Sequence, residues 1–263
     1  MTLSFHVRHE VTYDRAKEVF FAISREEGYD HVLQANRQVT RLRQLGLLHG
    51  DTLTLLGEKV FALCELKPDL WGDLLHFFHY TLWKPENSSE NGFAWTYHTF
   101  VDHIWLLNAV QINVDTLEPI VSTLINDIEA EPQFLVEETQ NAVVSLSWRS
   151  LKGVHNWLAG LVPPVIEGDQ FTRRFFCPPE LVILAAGWTA QQTDGELGID
   201  FLLTPDRREI MCKVCLLDPS VLDRVLDWTL PLYPEVMVAG TNAGVYGRFI
   251  RFLKWPELSD LLR

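Results

Sequence analysis

Four histidines in the middle of the chain have spacings that could hold a metal ion. His76 and His79 are three residues apart, while His98 and His103 are five apart, with Asp102 beside the last. On a helix, side chains three or four positions apart share a face, so the first pair would supply half of a zinc site. The second pair does not share a face well. Histidines hydrogen-bonded in an aromatic core explain the same pattern, so we predict no metal and no cofactor.

The cysteines and serines give weaker evidence for a metal site or a catalytic nucleophile. Cys212 and Cys215 form a C-x-x-C motif inside residues 210–217, which we interpret as a strand, and an offset of three in a strand points the two sulfurs to opposite faces. A structural zinc site needs four ligands, and Cys64 and Cys177 do not form a second close pair. The chain also has no G-x-S-x-G motif. We therefore predict no catalytic residues.

The arginines of segment 34–60 could bind nucleic acid, because this segment is typical of the second half of a winged helix-turn-helix. Its predicted elements are a helix over 36–45 that ends at Gly46, strands at 47–48 and 52–56, a turn at 49–51 and a helix from about Gly57. The polar positions of the first helix, which we predict to contact nucleic acid, are Asn36, Arg37, Gln38, Thr40, Arg41 and Arg43. Arg37 and Arg41 share one face, whereas Arg43 lies off it.

A helix over 15–25 and a shorter one over 29–33 are predicted to position this recognition helix. Asp14 can cap the first of them, and an extended arm at 2–9 precedes it. Pro68 closes this first unit.

The middle of the chain is rich in aromatic residues, with ten of them between Trp71 and Trp105. We predict helices over 71–83 and 95–107, joined by a polar loop at 84–92. Burial in the core of a middle domain is the simpler interpretation, since aromatic side chains bury large areas. A pocket for a ligand or partner is the alternative.

Residues 147–176 partly repeat the first pattern. Ser147 can cap a helix through 161, an extended segment follows at 162–166, and residues 170–176 return as a second wing. The basic residues of this second winged-helix-like unit, which we also predict to contact nucleic acid, are Arg149, Lys152, Arg173 and Arg174.

The C-terminal region predicts one more helix followed by a hairpin. Asp218 and Pro219 are typical of a helix start, and that helix would run through Leu230. Strands at 235–239 and 245–252 flank a glycine-rich turn. The predicted fold is therefore mainly α with small β hairpins (α+β), as tandem winged helix-turn-helix-like units around an aromatic helical middle.

Length and charge define the rest of the prediction. The 263 residues are long enough for several units, which we place at 1–67, 68–140 and 141–263. The net charge of −13 opposes bulk coating of nucleic acid, but residues 66–140 carry 2 Lys/Arg against 12 Asp/Glu and hold most of that acidity. No apolar run approaches the roughly 20 residues of a membrane span. We expect a cytoplasmic protein with no membrane partner.

Three segments resemble the prokaryotic domain-of-unknown-function family 4007. They are VTRLRQLGL at 39–47, LTLLGE at 53–58 and DLLHFFHYTLW at 73–83, after a phenylalanine-containing arm and a helix. The arm departs from the family's glycine-histidine-glutamate-threonine-phenylalanine signature, having SFHVRHE at 4–10. Members of that family often accompany sulfur-transfer or phage-defence genes, so the resemblance implies an accessory, DNA-linked role.

These observations lead to one preferred function and two alternatives. The preferred function is a winged-helix protein that binds DNA or RNA, as a non-catalytic regulator or an accessory subunit in DNA processing or phage defence. Its further partners would be protein subunits of a larger complex. The first alternative is an adaptor that binds protein through the aromatic or acidic middle domain. A metal-dependent enzyme using the histidines is the weaker alternative.

Overall fold

Helices make up most of the chain, and small antiparallel sheets join them. The computed structural model describes residues 11–25, 36–83, 92–130, 146–242 and 247–262. This architecture confirms the predicted mainly helical α+β class. The predicted arm at 2–9, the short helix at 29–33, residues 84–91 of the predicted polar loop and the last hairpin's tip at 243–246 lie outside the described residues.

The N-terminal region contains a helix, a second helix, a two-stranded hairpin and a third helix. They are α1 (Tyr13–Ser24), α2 (Asn36–Gln44), β1 (Leu48–His49), β2 (Thr52–Leu53) and α3 (Leu55–Leu66). The cap of α1 is Thr12, whose side chain accepts a hydrogen bond from the Arg15 backbone N–H, so the prediction of Asp14 as the cap was wrong. Gly46 follows α2 with a φ of 74°, a conformation that glycine adopts without steric cost.

Helix α3 begins two residues earlier than predicted because Thr54 caps it. The Thr54 hydroxyl accepts a hydrogen bond from the Gly57 N–H at 3.0 Å and donates one to the Gly46 carbonyl at 2.6 Å. One side chain thus starts α3 and holds it to the end of α2. The predicted strand at 52–56 is correspondingly shorter.

Replacing Thr54 by alanine is expected to lower the free energy of unfolding by about 1 kcal/mol, the usual effect of losing a helix cap. Chemical denaturation measures the change. Thr123→Ala is the control, since its exposed hydroxyl only donates to a carbonyl within its own helix. A Thr54 variant no less stable than this control would contradict the role of the cap.

The aromatic middle forms two packed helices, as predicted. They are α4 (Leu70–Leu82) and α5 (Gly92–Leu106). Gly72 lets α4 approach the chain closely, because a Cβ there would lie 1.7 Å from the carbonyl oxygen of Gly160. Among the large side chains that are fully buried are Trp71, Tyr80 and Tyr97.

A three-stranded sheet connects the middle of the chain to the next helix pair. The elements are β3 (Ala109–Gln111), α6 (Val114–Ala130), α7 (Trp148–Leu158), β4 (Ile166–Glu167) and β5 (Gln170–Thr172). The hairpin of β4 and β5 falls where the second wing was predicted, but β3 joins it in the order β3-β5-β4. The fully buried Phe171 faces Val110 on one side and Ile166 on the other.

The C-terminal region combines helices with a second three-stranded sheet. Its elements are α8 (Pro179–Gln192), β6 (Asp200–Leu202), α9 (Pro205–Cys215), a 3-10 turn at Pro219–Val221, α10 (Leu222–Thr229), a 3-10 turn at Leu230–Leu232, β7 (Met237–Asn242), β8 (Gly247–Phe252) and a 3-10 turn at Leu258–Leu261. The helix after Asp218 and the hairpin of β7 and β8 agree with their predictions. Strand β6 adds to the free side of β8.

The C-x-x-C motif lies on helix α9, so its prediction as a strand was wrong. Thr204 caps this helix and Pro205 occupies its first turn, while the short apolar run at 210–217 does not by itself distinguish a strand from a buried helix. Cys212 and Cys215 are both fully buried. Burial raises the pKa of the Cys212 thiol to about 12, which makes it a poor nucleophile.

One hydrophobic cluster includes buried residues from every part of the described chain. Polar contacts also cross the predicted boundaries: Lys67 pairs with Glu180 at 2.6 Å, and the Trp105 indole N–H donates to the Leu217 carbonyl at 2.9 Å. The division at residues 67 and 140 stays a prediction. None of the described helices is long and apolar enough to span a membrane.

Candidate nucleic-acid interface

The outer face of α2 carries part of the predicted contact set. Val39, Leu42 and Leu45 are buried against the core, which leaves Arg37 and Thr40 exposed on the opposite side. Gln38 is half-buried, and the side chain of Asn36 lies outside the described residues. The exposed positions follow helical spacing and form one polar surface.

Arg43 connects this face to the hairpin that follows it. Its Nε donates to the Gly50 carbonyl at 2.7 Å, and its Nη2 lies 2.8 Å from Oδ1 of Asp51. The two side chains keep 43% and 38% of their surface exposed, and such exposed pairs contribute about 0–1 kcal/mol. Arg43 could therefore release the Asp51 carboxylate and bind a phosphate group instead, with little loss of free energy.

Arg41 lies inside the protein, so the prediction that it contacts nucleic acid was wrong. It is only 5% exposed, and its guanidinium carbon lies 3.7 Å from the centre of the Phe93 ring on α5. Arg37 and Arg41 are neighbours along the helix, but the boundary between the exposed and buried sides runs between them. Arg43, which we predicted to lie off the contact face, is on the exposed side.

The basic residues of α7 are exposed. Arg149 and Lys152 both face water, and the Arg149 guanidinium lies 5.5 Å from the centre of the Trp148 ring. Ser147 precedes the helix and forms a capping box with Ser150, as its predicted role as a cap requires. The helix ends at Leu158, three residues earlier than predicted.

The two arginines of the predicted second wing bind the protein's own backbone and a carboxylate. Arg173 is half-buried, and its Nε donates to the Trp105 carbonyl at 2.7 Å. Arg174 is 3% exposed and pairs with Asp73 at 2.7 Å. The prediction of a nucleic-acid contact was therefore wrong for Arg174, while Arg173 is already engaged in holding β5 to α5.

Three histidines of the middle helices, His76, His79 and His98, are hydrogen-bonded within the protein, and His103 is half-buried. His76 contacts the Tyr97 hydroxyl and the Val214 carbonyl, both at 2.9 Å. His98 Nδ1 lies 3.0 Å from the Tyr80 carbonyl oxygen. The described residues contain no group of three or more His, Cys, Asp or Glu that could hold a metal ion.

Burial keeps the imidazoles of His76 and His79 neutral. It lowers the pKa of His76 to about 3 and lowers the pKa of His79 well below its usual value, with the positive charge of Arg41 acting in the same direction on His79. The His79 ring also stacks on Tyr97, with centroids 4.9 Å apart. These interactions account for both histidines as structural residues.

The aromatic middle offers no exposed docking surface within the described residues. Of its ten aromatic side chains, Phe77, Phe78 and Trp83 are half-buried and the other seven are buried. The exposed aromatic residues lie elsewhere, at Phe175, Phe176 and Trp228. An adaptor function would have to use the acidic surface or these other residues.

The structure also brings together residues whose combination we did not predict. Trp148, Lys152 and His155 line one cleft, and Asp169 at the turn between β4 and β5 lines its other side. The spacing of the first three, at intervals of four and three, marks one face of α7. That spacing could have identified this face of α7 from the sequence. It could not have shown that Asp169 lies across the cleft from it.

No family model matches this chain, and neither the curated proteins nor the solved structures contain a significant match to it.

Proposed function

We propose that the protein binds duplex nucleic acid through a winged-helix surface made of α2 and the β1–β2 hairpin. The observation that carries this proposal is the contact of Arg43 with Gly50 and Asp51, which holds the hairpin turn against the exposed end of the helix. A helix and a wing held in one orientation can meet a groove and its flanking phosphates together.

The exposed side chains supply the chemistry for such a contact. Arginine binds phosphate oxygens and guanine edges through paired N–H groups, and threonine donates to either. Arg37 lies near the N-terminus of α2, where the residues of recognition helices reach base edges, while Arg43 and the exposed His49 lie toward the wing. The surface is polar and small, so few phosphates would be contacted.

Charge makes this binding local and sensitive to salt. The chain as a whole carries −13, and residues 66–140 are strongly acidic, so phosphate is attracted at the α2 face and repelled elsewhere. We infer a non-catalytic regulator or accessory subunit, whose affinity depends on a partner that supplies further positive charge. An accessory role is also what the resemblance predicted from the sequence implies, and that resemblance stays a prediction.

Fluorescence anisotropy with labelled DNA and RNA duplexes between 20 and 200 mM salt tests the proposal, since salt dependence counts the phosphates contacted. Replacing Arg37 and Arg43 by alanine together is expected to weaken binding by about 1–3 kcal/mol for each arginine and to reduce the salt slope by about 2. Circular dichroism would verify that the variant folds.

Arg224→Ala is the matched control, because Arg224 is an exposed arginine on α10, outside the proposed surface. It should leave both the affinity and the salt slope unchanged. Undetectable binding of either duplex at 20 mM salt would disprove the proposed function, as would equal effects of the double variant and the Arg224 variant.

A further inference from the structure

A small cleft lies between α7, the start of α6 and the turn between β4 and β5. Its volume is about 180 Å³, slightly larger than the roughly 150 Å³ cavity that admits benzene. Ile112 and Leu117 form a buried apolar floor, and the indole of Trp148 forms a half-buried wall. The space fits one small molecule with an apolar body.

Three polar side chains that line this cleft have no hydrogen-bond or ion-pair partner among the described residues. Lys152 and Asp169 are exposed at its mouth. The ring nitrogens of His155 are enclosed by the protein, so His155 lines the cleft with the carbon edge of its ring. The two charged side chains at the mouth are therefore the groups placed to bind a polar ligand.

The two charges at the mouth have opposite signs and are not paired with each other. Other lysine and arginine side chains of the described residues form ion pairs within 4.0 Å, as Lys213 does with Glu209 at 2.9 Å. Lys152 and Asp169 line one cleft without forming such a pair. A ligand with a single charge would satisfy one of them and be opposed by the other.

We propose that this cleft binds a small zwitterion with an apolar body, represented by α-amino acids with apolar side chains. The carboxylate would meet Lys152, and the ammonium group would meet Asp169. The side chain would pack on Leu117 and Trp148. This assignment gives both charges at the mouth a partner and also fills the apolar floor of the cleft.

This site is independent of the proposed nucleic-acid surface on α2. Lys152, which we predicted to contact nucleic acid, acts here as the ligand's cationic partner. Arg149, on the same helix but outside the cleft, is the matched control for its charge.

Isothermal titration calorimetry with L-phenylalanine and L-leucine tests the proposal, alongside two analogues of phenylalanine. One analogue, 3-phenylpropionate, lacks the ammonium group, and the other, phenethylamine, lacks the carboxylate. Saturable one-to-one binding of the amino acids is expected, with each analogue weaker by up to about fivefold, since Lys152 and Asp169 are exposed and an exposed ion pair contributes no more than this.

Variants that each remove one charge test which side chain binds the carboxylate and which binds the ammonium group of the ligand. Lys152→Gln should weaken phenylalanine by up to about fivefold and leave phenethylamine unchanged, whereas Asp169→Asn should weaken phenylalanine and leave 3-phenylpropionate unchanged. Arg149→Gln should change neither. Circular dichroism and thermal denaturation confirm that each variant is folded.

Absence of saturable amino-acid binding would overturn the proposal, and so would analogues that bind as tightly as phenylalanine. Equal effects of Lys152→Gln and Arg149→Gln would also overturn it. None of these results depends on duplex binding, so failure of this site and failure of the α2 surface are separate outcomes.

Discussion

Replacing Arg174 by methionine is expected to lower the free energy of unfolding by about 3–5 kcal/mol, because it leaves a buried carboxylate without its cation. The side chains of Arg174 and Asp73 are each 1% exposed, and Nη2 lies 2.7 Å from Oδ1. Burial raises the pKa of the Asp73 carboxyl, and the guanidinium opposes that rise. Without the guanidinium, Asp73 must either ionise unpaired or take up a proton.

Arg174 also joins parts of the chain that are distant in sequence. Its Nε donates to the Cys215 carbonyl at 2.8 Å and its Nη1 to the Val162 carbonyl at 3.2 Å. The Val162 N–H in turn donates to Asp73 at 3.0 Å. Loss of the guanidinium therefore also leaves the buried Cys215 carbonyl without this donor, which adds to the cost of the unpaired charge.

Chemical denaturation of the variants in a double-mutant cycle measures the interaction energy between Asp73 and Arg174 apart from the effect of each single substitution. Asp73→Leu combined with Arg174→Met should be more stable than the sum of the single changes predicts, since both charges are gone. Arg15→Ala is the control, because its pair with Glu18 is exposed and should contribute less than about 1 kcal/mol. A loss of under about 1 kcal/mol for Arg174→Met would contradict the assignment.

Acidification from pH 7 to pH 5 is expected to destabilise the protein through its buried histidines. Burial lowers the pKa of His76 to about 3, whereas an unfolded histidine has a pKa near 6.5. Between these values the unfolded chain binds a proton that the native state does not. Stability is therefore complete above about pH 6.5 and falls as pH decreases toward 3, with His76 alone costing about 2 kcal/mol by pH 5.

Urea denaturation at pH 7, 6 and 5 measures this slope above the range in which most carboxylates titrate. His76→Gln removes the titrating group and can still hydrogen-bond, so it should flatten the slope, whatever its own stability at pH 7. His49→Gln, an exposed change on the β1–β2 hairpin, should leave the slope as it is. Identical slopes for the two variants would show that His76 is not the cause.

The local elements of the N-terminal region follow from their sequence. Apolar residues at helical spacing, a glycine at the end of α2 and a threonine before α3 are short-range signals, and the helix–hairpin–helix order agrees with them. The two aromatic helices and the C-terminal hairpin were predictable on the same basis. The C-x-x-C helix was not, because a short apolar run fits a strand or a buried helix equally well.

The orientation of individual charged side chains depended instead on contacts with distant segments of the chain. Helical spacing places Arg37 and Arg41 side by side, but only the packing of α5 against α2 directs Arg41 onto Phe93. Arg174 has a position typical of a wing, yet its partner Asp73 lies 101 positions earlier in the chain. In both cases the deciding contact comes from a distant segment.

The sequence by itself therefore determined the class of fold, the helix–hairpin–helix order of the N-terminal region, and the apolar side of α2, since these depend on neighbours within a few residues. Only the tertiary structure decided which basic residues face water, that His76 and His79 are core residues while His98 and His103 are half-buried, and that Lys152, His155 and Asp169 share a cleft. The physical reason is that the burial of a charged group depends on partners from other parts of the chain, which local periodicity does not encode.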